Sequence, residues 1–268
     1  MLSIARNFKE RVDIGGVGVS PINMPFAIET AERWIEQRTQ HYICVCGAHG
    51  VMECRGNDRL KSIHHEAGMV VPDGMPLVWM ARALGYTDTQ RVYGPDFMLA
   101  MSAVSAAKGY KNYYYGGNDG VAEKLARSLK DRFPGLNVVG TETPPFRKLT
   151  DAEDEATVDR INQVAPDIVW VGLSTPKQEY WMATHAGRVK APVLVGVGAA
   201  FDFLSGTKVQ APEWMRNRGL EWAFRVATEP KRLLRRYLTI VPGFAAIAMA
   251  QLVQMRFAAT KTSAGPPG

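Results

Sequence analysis

The chain has 268 residues, of which 46% are hydrophobic, 22% charged and 9% aromatic. That composition suits one large α/β domain with a small appendage, and it excludes a disordered or low-complexity chain. The formal net charge of +6 fits nucleic acid, anionic lipid or a phosphorylated substrate, so where the charge sits is more informative than its total.

The N-terminal stretch MLSIARNFKERVDIGG carries no apolar run of signal-peptide type. HYICVC (41–46) reads as a buried strand, and 51–67 as a helix. The three cysteines, Cys44, Cys46 and Cys54, are odd in number and clustered. This argues against a disulfide framework and for buried thiols, two of them on one strand face. Residues 69–71 form a short strand before Pro72-Asp73-Gly74, and 75–84 a helix with Pro76 in its first turn. Residues 97–108 are helical. KNYYYGG (111–117) is a strand ending in glycines, 121–132 an amphipathic helix stopped by Pro134-Gly135, and LNVVG (136–140) a strand. A proline-bearing loop, 143–149, leads to a helix at 150–164 capped by Thr150-Asp151. DIVWVGL (167–173) and APVLVGVG (191–198) are buried strands around a helix at 177–188. The alternation predicts an α/β fold: a Rossmann-like, mostly parallel sheet with helices on both faces, plus a C-terminal helical appendage. The catalytic domain is expected over 1–209, the appendage over 210–257 and a disordered tail over 258–268.

Ligands of open parallel sheets bind beyond the carboxyl ends of the strands. Asp73 stands at such an end, in a tight turn. It suits a general base, although the same position also suits an N-cap of the next helix. Gly116 and Gly117 follow a strand and precede a helix, which lets backbone amides approach a phosphate or ribose; a plain strand–helix turn fits equally. Gln178 and Glu179 open a helix at the ligand edge, with a Thr175–Gln178 capping box as the other reading. Asp202 lies between two aromatics, where either a ligand or a salt bridge to a late arginine would satisfy it.

Arg225, Glu229, Arg232 and Arg236 fall on one stripe at helical spacing. With Leu233, Leu234, Tyr237, Leu238 and Ile240 they make a basic amphipathic segment suited to an anionic membrane surface or a lipid diphosphate. Residues 237–255 are the nearest approach to a membrane span, but Pro242, Gly243 and two glutamines interrupt them, so an interfacial position is expected. Nucleic acid is not expected as a partner, since no aromatic-interleaved basic patch or DNA-reading motif occurs. His49, His64 and His65 form no metal-binding pattern, and neither metal nor cofactor is expected.

The ordered motifs PDGMPLVW (72–79), RVYGPD (91–96), YYYGG (113–117), VGLSTPKQEYW (171–181), GVGAAFDFLSG (196–206), APEWM (211–215) and EWAFRVATEPKRLLRRY (221–237) resemble the WecG/TagA/CpsF glycosyltransferases, from about Val17 to about Tyr237. The resemblance implies an inverting, metal-independent transfer from a UDP-sugar to a polyprenyl-diphosphate-linked sugar in bacterial surface polysaccharide synthesis. It places the enzyme as a peripheral protein at the cytoplasmic face of the inner membrane. It implies Asp73 as the catalytic base, and Arg91, Gln178 and Asp202 as substrate-binding residues. Arg225, Arg232 and Arg235 would serve the acceptor or diphosphate.

The sequence departs from the family at Cys44–Gly50, where a threonine and an asparagine are usual. Cys46 and His49 are the residues available there for sugar contact, Cys46 only as a weak donor. The motifs lean toward exopolysaccharide enzymes and a hexose donor. Homo-oligomerisation is left open. The competing reading is a non-catalytic, membrane-peripheral nucleotide-sugar-binding protein. A dinucleotide oxidoreductase is disfavoured, because Gly15-Gly16-Val17-Gly18 precedes no clear strand–helix unit.

Overall fold

The structure, a computed structural model, describes residues 9–263, with side chains as far as Phe257. It opens on a hairpin, β1 (Val12–Ile14) and β2 (Val17–Val19), whose turn residues Gly15 and Gly16 have φ of +62° and +89°. Only glycine adopts that left-handed pair without steric cost, which is why the sequence places two glycines there. Helix α1 (Met24–Gln37) follows, capped by the Asn23 side chain, which accepts from the Phe26 amide. Neither element was anticipated from the sequence.

Strand β3 (His41–Cys46) leads to two helices, α2 (Ala48–Arg55) and α3 (Asp58–Glu66). One helix was expected over this stretch. It breaks because Gly56 ends the first, and the Asn57 side chain caps the second by accepting from the Leu60 amide. Strand β4 (Met69–Pro72), α4 (Met75–Ala83), α5 (Gly94–Lys108), β5 (Lys111–Gly116) and α6 (Val121–Arg132) come next. Then β6 (Asn137–Glu142) leads to α7 (Asp151–Gln163), which has a full capping box: Thr150 and Glu153 satisfy each other's backbone amides. The core closes with β7 (Ile168–Gly172), α8 (Lys177–His185), β8 (Val193–Gly196) and α9 (Ala200–Leu204).

The six strands β3 to β8 form one parallel sheet in the order β4-β3-β8-β7-β5-β6, as the alternating pattern predicted. Side chains alternate between two hydrophobic layers. Tyr42, Cys44, Cys46, Tyr113, Tyr115, Val169 and Val171 enter one layer. Ile43, Tyr114, Ile168, Trp170, Val193 and Val195 enter the other. Two buried faces explain why the strands read as near-continuous apolar runs. The three cysteines are buried and free, and Cys44 and Cys46 share a face as expected.

The C-terminal part comprises α10 (Glu213–Asn217), α11 (Glu221–Thr228) and α12 (Pro230–Ser263). The basic stripe expected on one helix is therefore divided: the chain leaves helical geometry at Glu229 (φ −131°, ψ 55°) and restarts at Pro230. A proline fits the first turn of a helix, where its missing N–H costs no hydrogen bond. Helix α12 continues to Ser263, past the boundary expected at 257, and 264–268 lie outside the described residues. It lies against the α/β core. Leu233, Ile240 and Phe244 are buried, and Ala248 and Leu252 pack on the same layer as Phe244. Near its far end Gln251 accepts from the Gly15 amide and donates to the Asp13 carbonyl.

Candidate active site

Strand order changes direction at β3, whose neighbours are β4 and β8. A cavity of about 660 Å³ opens above the carboxyl ends of these strands and of β7, and α11 and α12 close it from the other side. This is where an open α/β sheet splays its loops and leaves a crevice.

Asp73 sits on the cavity wall, directly after β4. Its role as a helix cap is not realised. Gly74 is the N-cap of α4 and makes no side-chain cap bond. The Asp73 carboxylate instead accepts from the Gly94 amide, at the start of α5, at 2.8 Å, and its own amide donates to the Cys46 carbonyl at 2.9 Å. Burial, reinforced by the carboxylate of Glu221, pushes the Asp73 acid up to about 7. The Gly94 amide, Arg91 and Arg225 oppose that rise. A carboxyl group with such a value accepts a proton effectively near neutral pH.

The cavity is also rich in cations. Arg91, Arg216, Arg225, Arg232 and Arg236 all line the cavity. The Arg91 guanidinium lies 4.5 Å from the Tyr93 ring centre, and one of its nitrogens donates to the Arg216 carbonyl at 3.0 Å. Arg225 lies over the Phe203 ring, and its Nε is buried without a hydrogen-bond partner. Arg232 is held by Glu229 at 2.7 Å. Clustered guanidiniums with free donors suit a diphosphate, whose oxygens take paired N–H bonds.

Gln178 and Glu179, both almost fully buried, form the floor. No side-chain cap is made at the start of α8. Thr175 Oγ1 instead donates to Glu179 Oε1 at 2.9 Å, and Gln178 Nε2 donates to the same oxygen at 3.1 Å. Gln178 Oε1 and Glu179 Oε2 have no partner. Burial raises the Glu179 acid. Gly196 and Gly198 make room for Gln178, since a Cβ at either would stand 3.1 and 3.3 Å from its amide.

Cys46 and His49 both line the cavity. Burial drives the Cys46 thiol up, so it remains protonated, and it makes a long 3.6 Å approach to the Gly47 carbonyl beside the Val51 amide. Burial and Arg236 push the His49 imidazole down to about 4. The ring meets Glu53 through Nε2 at 3.0 Å, and the Arg236 guanidinium lies against both ring nitrogens. His49 thus ties α2 to α12.

The sequence matches the profile of the glycosyl transferase WecG/TagA/CpsF family over residues 12–258. The chain belongs to this family. Among curated relatives it is similar to N-acetylglucosaminyldiphosphoundecaprenol N-acetyl-beta-D-mannosaminyltransferase of Staphylococcus aureus strains NCTC 8325 / PS 47 and COL. Each is 26% identical over 241 residues, covering 89% of this chain and 92% of the relative.

The glycosyltransferase fold thus gathers Asp73, Arg91, Gln178, Cys46, His49, Arg225 and Arg232 around one cavity. Gly116, Gly117, Asp202 and Arg235 do not line it. Gly116 (φ +126°) lies so close to β7 that a Cβ would meet the Gly172 carbonyl at 2.7 Å, and the Gly117 amide donates to the same carbonyl at 3.0 Å. Asp202 pairs with Lys208 at 3.2 Å rather than with a late arginine. Arg235 is exposed, because the turn of α12 that sends Arg236 to His49 carries its neighbour outward.

Glu221, Tyr93 and Arg216 line the cavity without having been singled out. Each lies inside or beside a motif quoted for the family, but no spacing rule connects positions more than a hundred residues apart.

Proposed function

We propose that this glycosyltransferase moves a sugar from a UDP-sugar to a polyprenyl-diphosphate-linked sugar, with inversion and without a metal. The observation that carries the reading is the meeting of a half-buried, high-pKa carboxylate, Asp73, with five arginines around one cavity. Asp73 takes the proton of the acceptor hydroxyl as that oxygen attacks the anomeric carbon. The bond to UDP breaks on the opposite face, and the electron pair leaves with the diphosphate. Arginines carry the growing charge, a preorganised form of stabilisation that acts strongly in a site shielded from water. Gln178, with its unpartnered carbonyl, and Glu179 are proposed to receive sugar donor groups. Gly116, Gly117 and Asp202 serve the donor if its nucleotide runs past the cavity along the same edge of the sheet.

The relatives' names state an N-acetylmannosaminyl group and an undecaprenyl-diphosphate-linked N-acetylglucosamine acceptor. They support a polyprenyl-linked acceptor here and make N-acetylmannosamine a first donor to try beside the hexoses. The protein is proposed to work at the cytoplasmic membrane surface, where such an acceptor resides. Support comes from Pro230–Phe257, a helical stretch long and apolar enough to cross a membrane by length and composition, with little of its surface buried. Because Leu233, Ile240 and Phe244 hold it on the core, a peripheral position fits better than a span.

The test is UDP release from a panel of UDP-sugars with a short-chain polyprenyl-diphosphate sugar as acceptor. Asp73→Asn should cut turnover by about 10²–10⁴-fold, the usual scale for a positioned base. Near-normal turnover in that variant would remove Asp73 from the chemistry, and nucleotide-sugar binding without UDP release would favour a non-catalytic protein.

A further inference from the structure

Besides Glu179 on the floor, two carboxylates line the cavity, and they come from distant parts of the chain. Asp73 follows β4, whereas Glu221 is the first residue of α11. Consecutive residues of one loop hold them. Gly94 N–H donates to Asp73 Oδ1 at 2.8 Å, and Tyr93 Oη donates to Glu221 Oε1 at 3.1 Å. Gln210 Nε2 donates to the Tyr93 oxygen at 3.1 Å, which leaves the Tyr93 proton free for Glu221.

The charged and titratable groups around the pair are Arg91 in the loop before α5, Arg216 on α10, Arg225 on α11, Tyr93, and Cys46 on β3. An inverting transfer needs one base, so Glu221 has no role as a second. Its anchoring beside the base suits another task. We propose that Glu221, anchored by the residue next to the one that holds Asp73, is a positioning residue of the transfer reaction, acting on the Asp73 base and making its basicity conditional on α11 being docked. This rests on the transfer reaction proposed above.

The physical basis is like-charge repulsion in a site shielded from water. An ionised Glu221 disfavours ionisation of Asp73 and so strengthens it as a base. After burial, Glu221 is the largest influence raising the Asp73 acid, while Arg91 and Arg225 pull the other way. If α11 leaves, the repulsion and part of the burial go with it, and Asp73 becomes a weaker base. The base would then be strong only when the C-terminal arginines are also in place for the diphosphate.

The experiment is the pH profile of kcat/KM for the full chain and three variants, with folding checked by thermal melts. Glu221→Gln keeps an oxygen for Tyr93 and removes the charge. Its acidic-limb midpoint should fall by roughly half to one pH unit, and its plateau rate by less than about tenfold as the base weakens. Glu221→Asp restores the charge and should return the midpoint toward that of the unaltered chain. Tyr93→Phe frees Glu221 and should lower the midpoint in the same direction. A folded Glu221→Gln protein with an unmoved midpoint overturns the proposal. Should that variant fail to fold, an unmoved midpoint in Tyr93→Phe does the same. If Asp73→Asn keeps near-normal turnover, the reaction assigned to Asp73 fails. If Asp73→Asn is crippled and both profiles stay unmoved, only the role of Glu221 fails.

Discussion

At the residue scale, the behaviour of Asp73 follows from where β4 leaves it. Its acid, pushed up to about 7 by burial and by Glu221, makes the active form the deprotonated one. kcat/KM should therefore rise with pH and level off above a midpoint near 7, and a flat profile between about pH 5.5 and 8.5 would contradict a base in this position. The same displacement has a thermodynamic consequence of opposite sign. The unfolded carboxyl titrates near its ordinary value of about 3.9. Between that value and 7 the folded state binds more protons than the unfolded one, so Asp73 costs stability progressively as pH rises through this window. Asp73→Asn keeps an oxygen for the Gly94 amide and removes the charge. Its melting temperature should match that of the unaltered protein near pH 4 and exceed it at pH 8. A helix cap would behave otherwise, losing about 0.5–2 kcal/mol on removal.

At the scale of elements, close approaches set the geometry of the strand ends. Gly172 closes β7, and a Cβ there would lie 2.6 Å from the Phe201 ring of α9. Phe201 is itself buried between β7 and Tyr114, with no space to retreat. Gly172→Ala should cost roughly 1–3 kcal/mol, the usual range for overpacking, measurable by chemical denaturation. Because Thr175 in the loop after β7 and Gln178 and Glu179 in the first turn of α8 follow directly, that displacement should also weaken substrate binding. The junction at Glu229 and Pro230 is the other decisive element feature. By dividing the basic stripe it lets Arg225 approach from α11 and Arg232 and Arg236 from α12, so that the arginines converge on the cavity from two directions.

At the scale of the molecule, α12 has two apolar sides. Leu233, Ile240 and Phe244 face the core, whereas Leu234, Leu238, Met249 and Val253 face outward. The exposed indoles of Trp79, Trp214 and Trp222 accompany them, and the last lies beside Tyr237 near the cavity mouth. Exposed apolar surface on this scale, next to a basic helix start, fits the interfacial position proposed above. A Leu234→Glu/Leu238→Glu/Val253→Glu protein should lose at least about tenfold of its sedimentation with anionic vesicles. Unchanged sedimentation would separate the helix from membrane docking. Truncation after Val209 should abolish UDP release, since it removes Glu221 and four of the five cavity arginines.

The sequence by itself determined the parallel α/β layers, because strands buried on both faces must be apolar throughout and the helices between them must be amphipathic. It also determined the family, whose ordered motifs mark Asp73, Arg91 and Gln178. Local chemistry decided the cap at Thr150 in the same way. Tertiary structure alone decided the rest. Whether Asp73 capped a helix or faced a cavity depended on the Gly94 amide, 21 residues away. Whether Asp202 met a ligand or a cation depended on Lys208. The short hairpin and the division at Gly56 and Asn57 were hidden, since a three-residue strand has almost no periodicity to read. Glu221 was the deepest omission. A first-turn glutamate is unremarkable in one dimension, and it acquires chemical meaning only where packing of α11 sets it in the cavity with Asp73.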